Sequence, residues 1–307
     1  MITILGPTAV GKTHFAVYLA QRINGEIISA DSRQVYRRMN VGTGKDYDEF
    51  RINGTFIPVH LIDVAEPGEE FNVYEYKKMF VKTHDQILSQ GKKIILCGGS
   101  GMYIEAVLGN FQLVDINIDE EFDKHIETLN DKQLEQYLVE LKQKNGKVLH
   151  NHTDLDTRDR LIKAVKIEYT LQNEHVAMND VYDSYIIGIR SDRETILQNI
   201  KRRLLKRLNE ERMIEEVQKL MDEGVNHDQL KRYGLEYKFI TKYLLGEISY
   251  DQMVEQLNIA INQFSKRQMT WFRRMERRGY FIHWVDANRS DDDKFDFLMK
   301  QGLNQWI

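Results

Sequence analysis

The chain has 307 residues, is 42% hydrophobic and carries a formal net charge of −4, enough apolar material for one large domain or two modest ones. No run is long enough to span a bilayer and the first apolar run starts at Ile2, so a cytoplasmic protein without secretory leader or membrane partner is expected. The single cysteine, Cys97, excludes an internal disulfide and any cysteine-built zinc site.

In chain order, the apolar run Ile2–Leu5 reads as a buried strand, followed at once by Gly6-Pro7-Thr8-Ala9-Val10-Gly11-Lys12-Thr13. That octapeptide fits G-x-x-x-x-G-K-[ST], and the amphipathic pattern Phe15, Ala16, Leu19, Ala20, Ile23 continues it as a helix. Strand, glycine loop and helix in this order form a phosphate cradle: turned backbone N–H groups face an anion, Lys12 adds charge, and the Thr13 hydroxyl can meet Mg²⁺. Further β-branched runs follow at Glu26–Ala30, Val59–Val64, Ile94–Gly98, Tyr185–Ile189 and Phe281–Val285. Separated by helical patterns, they predict an α/β fold: a P-loop NTPase-like parallel sheet flanked by helices, with its ligand crevice at the strands' carboxyl ends.

Asp31 follows the second of these strands, where a carboxylate can accept a proton from an incoming nucleophile or cap a turn. The next residues, Ser32-Arg33-Gln34-Val35-Tyr36, supply donors, a cation and an aromatic ring suited to gripping a base and its backbone. Asp63 closes the third strand, a position from which P-loop proteins can hold Mg²⁺ and at which any buried strand can also end. The fourth strand runs into Gly98-Gly99-Ser100-Gly101; its glycines allow close backbone approach to a ligand, though a simple strand-to-helix turn would need them too, and its serine hydroxyl would face the crevice. Cys97 in this strand reads as a packed core thiol.

Between Leu113 and Ser184 the strand rhythm stops and helical segments 120–129, 132–144 and 156–171 take over. The expected organisation is therefore a core of residues 1–112 plus 185–307 with a helical insertion at 113–184, jointed near Asn110 and Asp183. After the fifth strand one helix is expected from Arg193 to Gly224 and another from Tyr250 to Arg278. At 100° per residue, Ile196, Ile200, Leu204, Ile214 and Met221 define an apolar face on the first, and Arg203 and Arg207 fall inside it. An inward arginine requires an anion or a carboxylate, unless its head snorkels to water. On the last helix Ala260, Phe264, Trp271 and Met275 form a core stripe with Gln268 on or near it.

The mean charge hides local clusters. Asp115 to Glu140 is acidic, whereas the segment from Arg193 to Arg212 carries Lys201, Arg202, Arg203, Lys206 and Arg207, and that from Lys266 to Arg278 carries six basic residues. Such runs form solvated helix faces or hold a polyanion. The residues alone leave three functions open: a phosphoryl-transfer enzyme or NTPase with Asp31 as base, a group transferase acting on nucleic acid whose P-loop holds a departing diphosphate, and a P-loop RNA-binding switch.

The ordered set of Gly6–Thr13, Asp31–Tyr36, Val41–Lys45, Gly98–Tyr103, Asp192-Arg193, Gly246–Tyr250 and Lys266–Arg273 resembles the bacterial tRNA dimethylallyltransferases from end to end. The resemblance implies transfer of a dimethylallyl group from dimethylallyl diphosphate to the exocyclic N6 amine of the adenosine 3′ of the anticodon. Gly6, Thr8, Ala9, Val10, Gly11, Lys12, Thr13 and Arg203 would then bind the diphosphate, with Mg²⁺ on Thr13. Asp31 would be the general base, with Ser100 and Arg203 also catalytic. Asp31, Ser32, Arg33, Gln34, Ser100, Arg160 and Lys163 would contact the tRNA anticodon stem-loop, and a monomer is expected. Asn40, Gly44-Lys45-Asp46 and Lys163-Ala164-Val165-Lys166 depart from the family's usual residues, and with one cysteine the carboxyl-terminal zinc finger of many eukaryotic relatives is not expected. The closest rival is an adenylate isopentenyltransferase acting on a free nucleotide; the insertion and basic helices favour tRNA.

Overall fold

All six expected strands pair, in parallel, in one sheet, in the order Val59–His60, Gly25–Ser29, Lys93–Gly98, Ile2–Leu5, Tyr185–Arg190 and Ile282–Asp286. The computed structural model describes residues 1–109, 113, 116, 118–146, 155, 157–173 and 180–307. In chain order the elements begin with β1 (Ile2–Leu5), α1 (Lys12–Ile23) and β2 (Gly25–Ser29). A hairpin of β3 (Arg51–Ile52) and β4 (Thr55–Phe56) leads to β5 (Val59–His60), α2 (Val73–Ser89), β6 (Lys93–Gly98) and α3 (Gly101–Leu108). Then come α4 (Glu120–Thr128), α5 (Asp131–Lys144), α6 (Arg158–Asn173), β7 (Tyr185–Arg190), α7 (Arg193–Asn209) and α8 (Met213–Asp222). The chain ends with α9 (His227–Tyr233), α10 (Leu235–Leu244), α11 (Tyr250–Arg277), β8 (Ile282–Asp286) and α12 (Asp291–Lys300).

Strand alternation sorts the core into two layers. Leu5, Ile28, Ile94, Leu96 and Ile186 pack on one face with α2, α3, α7, α8, α10 and α11. Ile2, Ile4, Ile27, Ile95, Cys97 and Ile187 pack on the other with α1 and α12. Cys97 is buried and its thiol is pushed up to about 12 by burial, as a packed core residue requires.

Two expected elements differ. The third strand is two residues long, because Leu61 and Asp63 take left-handed φ values of 60° and 57°. Val64 and Ala65 then pair back to Val35, so Asp63 lies in an irregular turn. The expected helix 193–224 is two helices, broken where Arg212 adopts φ 59°. Its apolar periodicity ran through the break because Leu204, Leu208, Met213, Val217 and Leu220 all enter the same core layer.

The chain divides into two compact units, residues 1–109 with 181–307, and residues 110–180. The second has its own apolar centre of Phe122, Ile126, Leu134, Leu138, Leu141, Leu161 and Val165. Asn110, one of the expected joints, lies outside the described residues. No described helix is long and apolar enough to cross a membrane.

Candidate functional site

At the carboxyl end of β1 the backbone turns through Gly6 (φ 156°), Ala9 (φ 61°) and Gly11 (φ 89°) before α1 begins. A Cβ at Gly6 would lie 2.5 Å from the Ile189 carbonyl of β7, so only glycine fits there. Helix α1 has no side-chain cap and no acidic residue in its first turn. Its first N–H groups and the positive end of its dipole are therefore left for an anion. Lys12 donates to the Pro7 carbonyl at 2.7 Å, and burial lowers its pKa from 10.5 to about 8. An ammonium that costly to hold is stabilised by an arriving phosphate. Ala9 to His14 line a cleft of about 350 Å³ together with Glu49, Asn199, Arg202 and Arg203, a size suited to a small ligand.

Asp31 faces the same crevice from the end of β2, and Lys12, Thr13, Arg203 and Gln268 share its innermost part. The position follows from the sheet: Ala30 donates to the Cys97 carbonyl at 2.7 Å and accepts from Ser100 N–H at 3.1 Å, so β2 and β6 end side by side. Ser100 Oγ accepts from Ser32 N–H at 2.9 Å and lies 3.1 Å from Ser32 Oγ, one residue from Asp31. Asp31 also accepts the Arg33 N–H at 3.1 Å, so it stabilises its own turn while its remaining lone pairs stay available.

Arg203 and Arg207 both point inward from α7. A Cβ at Gly44 would collide with Nη2 of each, so the backbone there backs the arginine pair. Arg207 is lowered to about 10, first by burial and then by Arg203; its carboxylate is Glu236, 3.9 Å away. Arg203 lines the 350 Å³ cleft, and it also lines the innermost crevice with Asp31. Burial raises the pKa of Glu49, which faces both arginines.

Three residues that sequence reasoning missed hold this arrangement. Gln268, buried on α11, accepts the Thr8 N–H at 2.8 Å and donates to the Gly99 carbonyl at 3.0 Å, tying the P-loop to the β6–α3 turn. Glu216 of α8 accepts three successive N–H groups, those of Asn40, Val41 and Gly42, at 2.8, 2.8 and 3.0 Å, and the Tyr237 hydroxyl at 2.6 Å. Lys45, whose side chain is fully buried, pairs with Asp63 at 2.5 Å and reaches the Tyr36 carbonyl. Gln268 and Lys45 lie inside motifs already singled out, whereas nothing in the sequence marks Glu216.

Other sequence expectations change in detail. Asp63 is occupied by Lys45 and Tyr47 and is absent from the residues lining the crevice. Gly98, Gly99 and Gly101 make room for protein: a Cβ on each would strike Ala30, Gln268 and Trp271 respectively. Arg33 is paired to Glu236 at 2.9 Å and stacked over Phe264. Gln34 bonds Ser29 at 3.0 Å and the Gly44 carbonyl at 3.2 Å, so both side chains brace the crevice from within. The buried stripe of α11 runs through Met253, Leu257, Ile261, Ser265, Gln268, Phe272 and Met275. Gln268 and Met275 lie on it as expected, whereas Ile261, Ser265 and Phe272 stand one position on from the expected Ala260, Phe264 and Trp271. Phe264 and Trp271 instead stack against Arg33 and Arg274. Arg160 and Lys163 are exposed on α6 of the second unit.

Known proteins match this chain along its whole length. The family model described as IPP transferase matches residues 34–275. A tRNA dimethylallyltransferase 1 of Parabacteroides distasonis is 50% identical over 99% of this chain and 98% of its own. A tRNA dimethylallyltransferase 2 of Bacteroides fragilis is 46% identical over 100% of this chain and 98% of its own. Among solved structures, a tRNA isopentenylpyrophosphate transferase of Bacillus halodurans aligns with TM-score 0.69 at 30% identity, covering 98% of this chain and 94% of that one. The corresponding transferase of Staphylococcus epidermidis aligns with TM-score 0.68 at 32% identity, covering 99% and 98%.

Proposed function

The chain belongs to the IPP transferase family, and we propose that it transfers the dimethylallyl group of dimethylallyl diphosphate to the N6 amine of the adenosine 3′ of the anticodon in tRNA. The observation that carries this reading is the pairing, in one crevice, of a P-loop backed by Arg203 with a carboxylate, Asp31, at the carboxyl end of β2, one strand away across β6. The P-loop N–H groups, Lys12 and Arg203 take the diphosphate. The bond from the allylic carbon to the bridging oxygen breaks as N6 forms its bond to that carbon, and Asp31 takes the N6 proton. Charge develops on the leaving oxygen, where Lys12, Arg203 and the first turn of α1 already point, so little reorganisation accompanies departure.

The target adenine must leave its stack to reach Asp31. Ser32 and Ser100, whose hydroxyls are linked at 3.1 Å next to Asp31, are the groups that would meet it there. Arg160 and Lys163 suit contacts to the RNA backbone, being exposed cations on one helix. The donor set also fits Mg²⁺. Thr13 lies in the first turn of α1 at the cleft, and no cluster of three His, Cys, Asp or Glu forms a separate cage among the described residues. A magnesium ion held there by the Thr13 hydroxyl, diphosphate oxygens and water would neutralise part of the leaving charge.

Incubation with Mg²⁺, labelled dimethylallyl diphosphate and either unmodified tRNA or AMP, without ATP, tests the reading. Label in tRNA alone is expected. Label in AMP identifies a free-nucleotide prenyltransferase, and a requirement for ATP overturns the diphosphate assignment.

A further inference from the structure

Glu236 sits in the crevice between Arg33 and Arg207, while Glu49 faces Arg203 and Arg207. Glu236 is 5% exposed and comes from the first turn of α10, which follows Gly234 without a side-chain cap. Its Oε2 lies 2.9 Å from Arg33 Nη1 and its Oε1 lies 3.9 Å from Arg207 Nη1. Arg33 in turn has its Nε 4.0 Å from Asp31, and Arg207 stands beside Arg203 against Gly44. Each oxygen of one buried carboxylate thus faces an arginine adjoining a different chemical task.

We propose that Glu236 is a positioning residue: it draws Arg33 away from the base Asp31 and Arg207 away from the departing diphosphate, so that each half of the crevice keeps its own charge. The inference rests on the roles given above to Asp31 and the P-loop. Without the Glu236 charge, Arg33 is a buried cation whose nearest remaining carboxylate is Asp31. It would swing to close the 4.0 Å gap and compete with the adenine amine for the oxygen that must take its proton. Arg207, released at the same time, would add a second guanidinium to the phosphate side. The two consequences have opposite signs: a weaker base and a tighter diphosphate site. A merely structural Glu236 would loosen both.

Glu236→Gln keeps the shape and removes the charge. Calorimetric titration with pyrophosphate and Mg²⁺ is expected to show the dissociation constant falling about fivefold to tenfold, the scale of one nearby charge. Single-turnover prenyl transfer is expected to slow about tenfold or more. In the double variant Arg33→Gln/Glu236→Gln, where the competing cation is gone, transfer should recover to at least several times the single variant's rate, a non-additivity that reports direct coupling. Pyrophosphate binding that weakens or stays the same in Glu236→Gln overturns the proposal, as does a double variant no faster than the single one. If the unaltered protein transfers no prenyl group to tRNA, the proposed function fails. The pyrophosphate titration then still decides whether Glu236 holds Arg207 back.

Discussion

Gln268 and Thr8 lie 260 residues apart in sequence, yet the Gln268 side chain accepts the Thr8 backbone N–H at 2.8 Å. The same amide donates to Gly99 at 3.0 Å, so one buried side chain of α11 sets the height of the P-loop against the end of β6. Gln268→Leu would leave a backbone donor and acceptor unpaired. A loss of about 1–3 kcal/mol in urea unfolding is expected, with a raised KM for dimethylallyl diphosphate. Unchanged KM and stability would mean that the loop holds its shape without the bridge.

Arg203 has the diphosphate as its expected partner. Arg203→Ala should weaken pyrophosphate binding and slow transfer, each by about tenfold or more, because it removes a pre-aimed charge from the leaving group. Calorimetry and single-turnover kinetics read the two effects separately. Equal values for variant and parent would show a side chain that only packs its stem.

Glu216 fastens the loop on which the arginine pair rests, through three backbone N–H groups and the Tyr237 hydroxyl. Charge-assisted bonds of this kind contribute about 1.5–3 kcal/mol each at most and are not additive. Glu216→Ala is expected to lower stability by about 2–4 kcal/mol, mostly from stranding those donors. Glu216→Gln, which can accept but also presents an amide donor, should fall between. A melting temperature unmoved in both variants contradicts the role.

Lys12 sets a pH dependence whose two consequences oppose each other. Burial lowers its pKa from 10.5 to about 8, so between those values the unfolded chain binds more protons than the folded one. This group's contribution to folding stability therefore rises as pH increases through that window. Pyrophosphate binding should weaken over the same rise, because the folded lysine gives up its charge. Titrations between pH 7 and 9.5 check this, with Lys12→Arg as the control that stays charged and flattens the trend. Binding independent of pH in the parent would place Lys12 away from the anion.

Much of the fold could be read from residue patterns because parallel strands buried on both faces appear as continuous apolar runs. All six were located, and the cradle at Gly6–Thr13 announced itself by glycine spacing. Asp31 and Arg203 were found because a carboxylate at a strand end and an arginine inside an apolar face both ask for a partner. What stayed hidden was long-range. Gln268 is a polar residue on a buried stripe, and nothing local says that it meets Thr8 and Gly99. The pairings of Glu236 with Arg33 and of Lys45 with Asp63 join segments 203 and 18 residues apart. The helix break at Arg212 escaped notice because no glycine or proline marks it and the apolar period resumes beyond it. The glycines of the β6–α3 turn fit either ligand clearance or a strand-to-helix turn; that Ala30, Gln268 and Trp271 require them is tertiary information.

The central claim is a division of labour: the P-loop holds a group that leaves, and Asp31 takes the proton from the group that arrives. Asp31→Ala separates the two in a single experiment, with pyrophosphate binding and single-turnover transfer to tRNA measured on the same preparation. Binding within about threefold of the parent, with transfer reduced by at least about a hundredfold, is the predicted result. Full transfer by the variant would contradict the account.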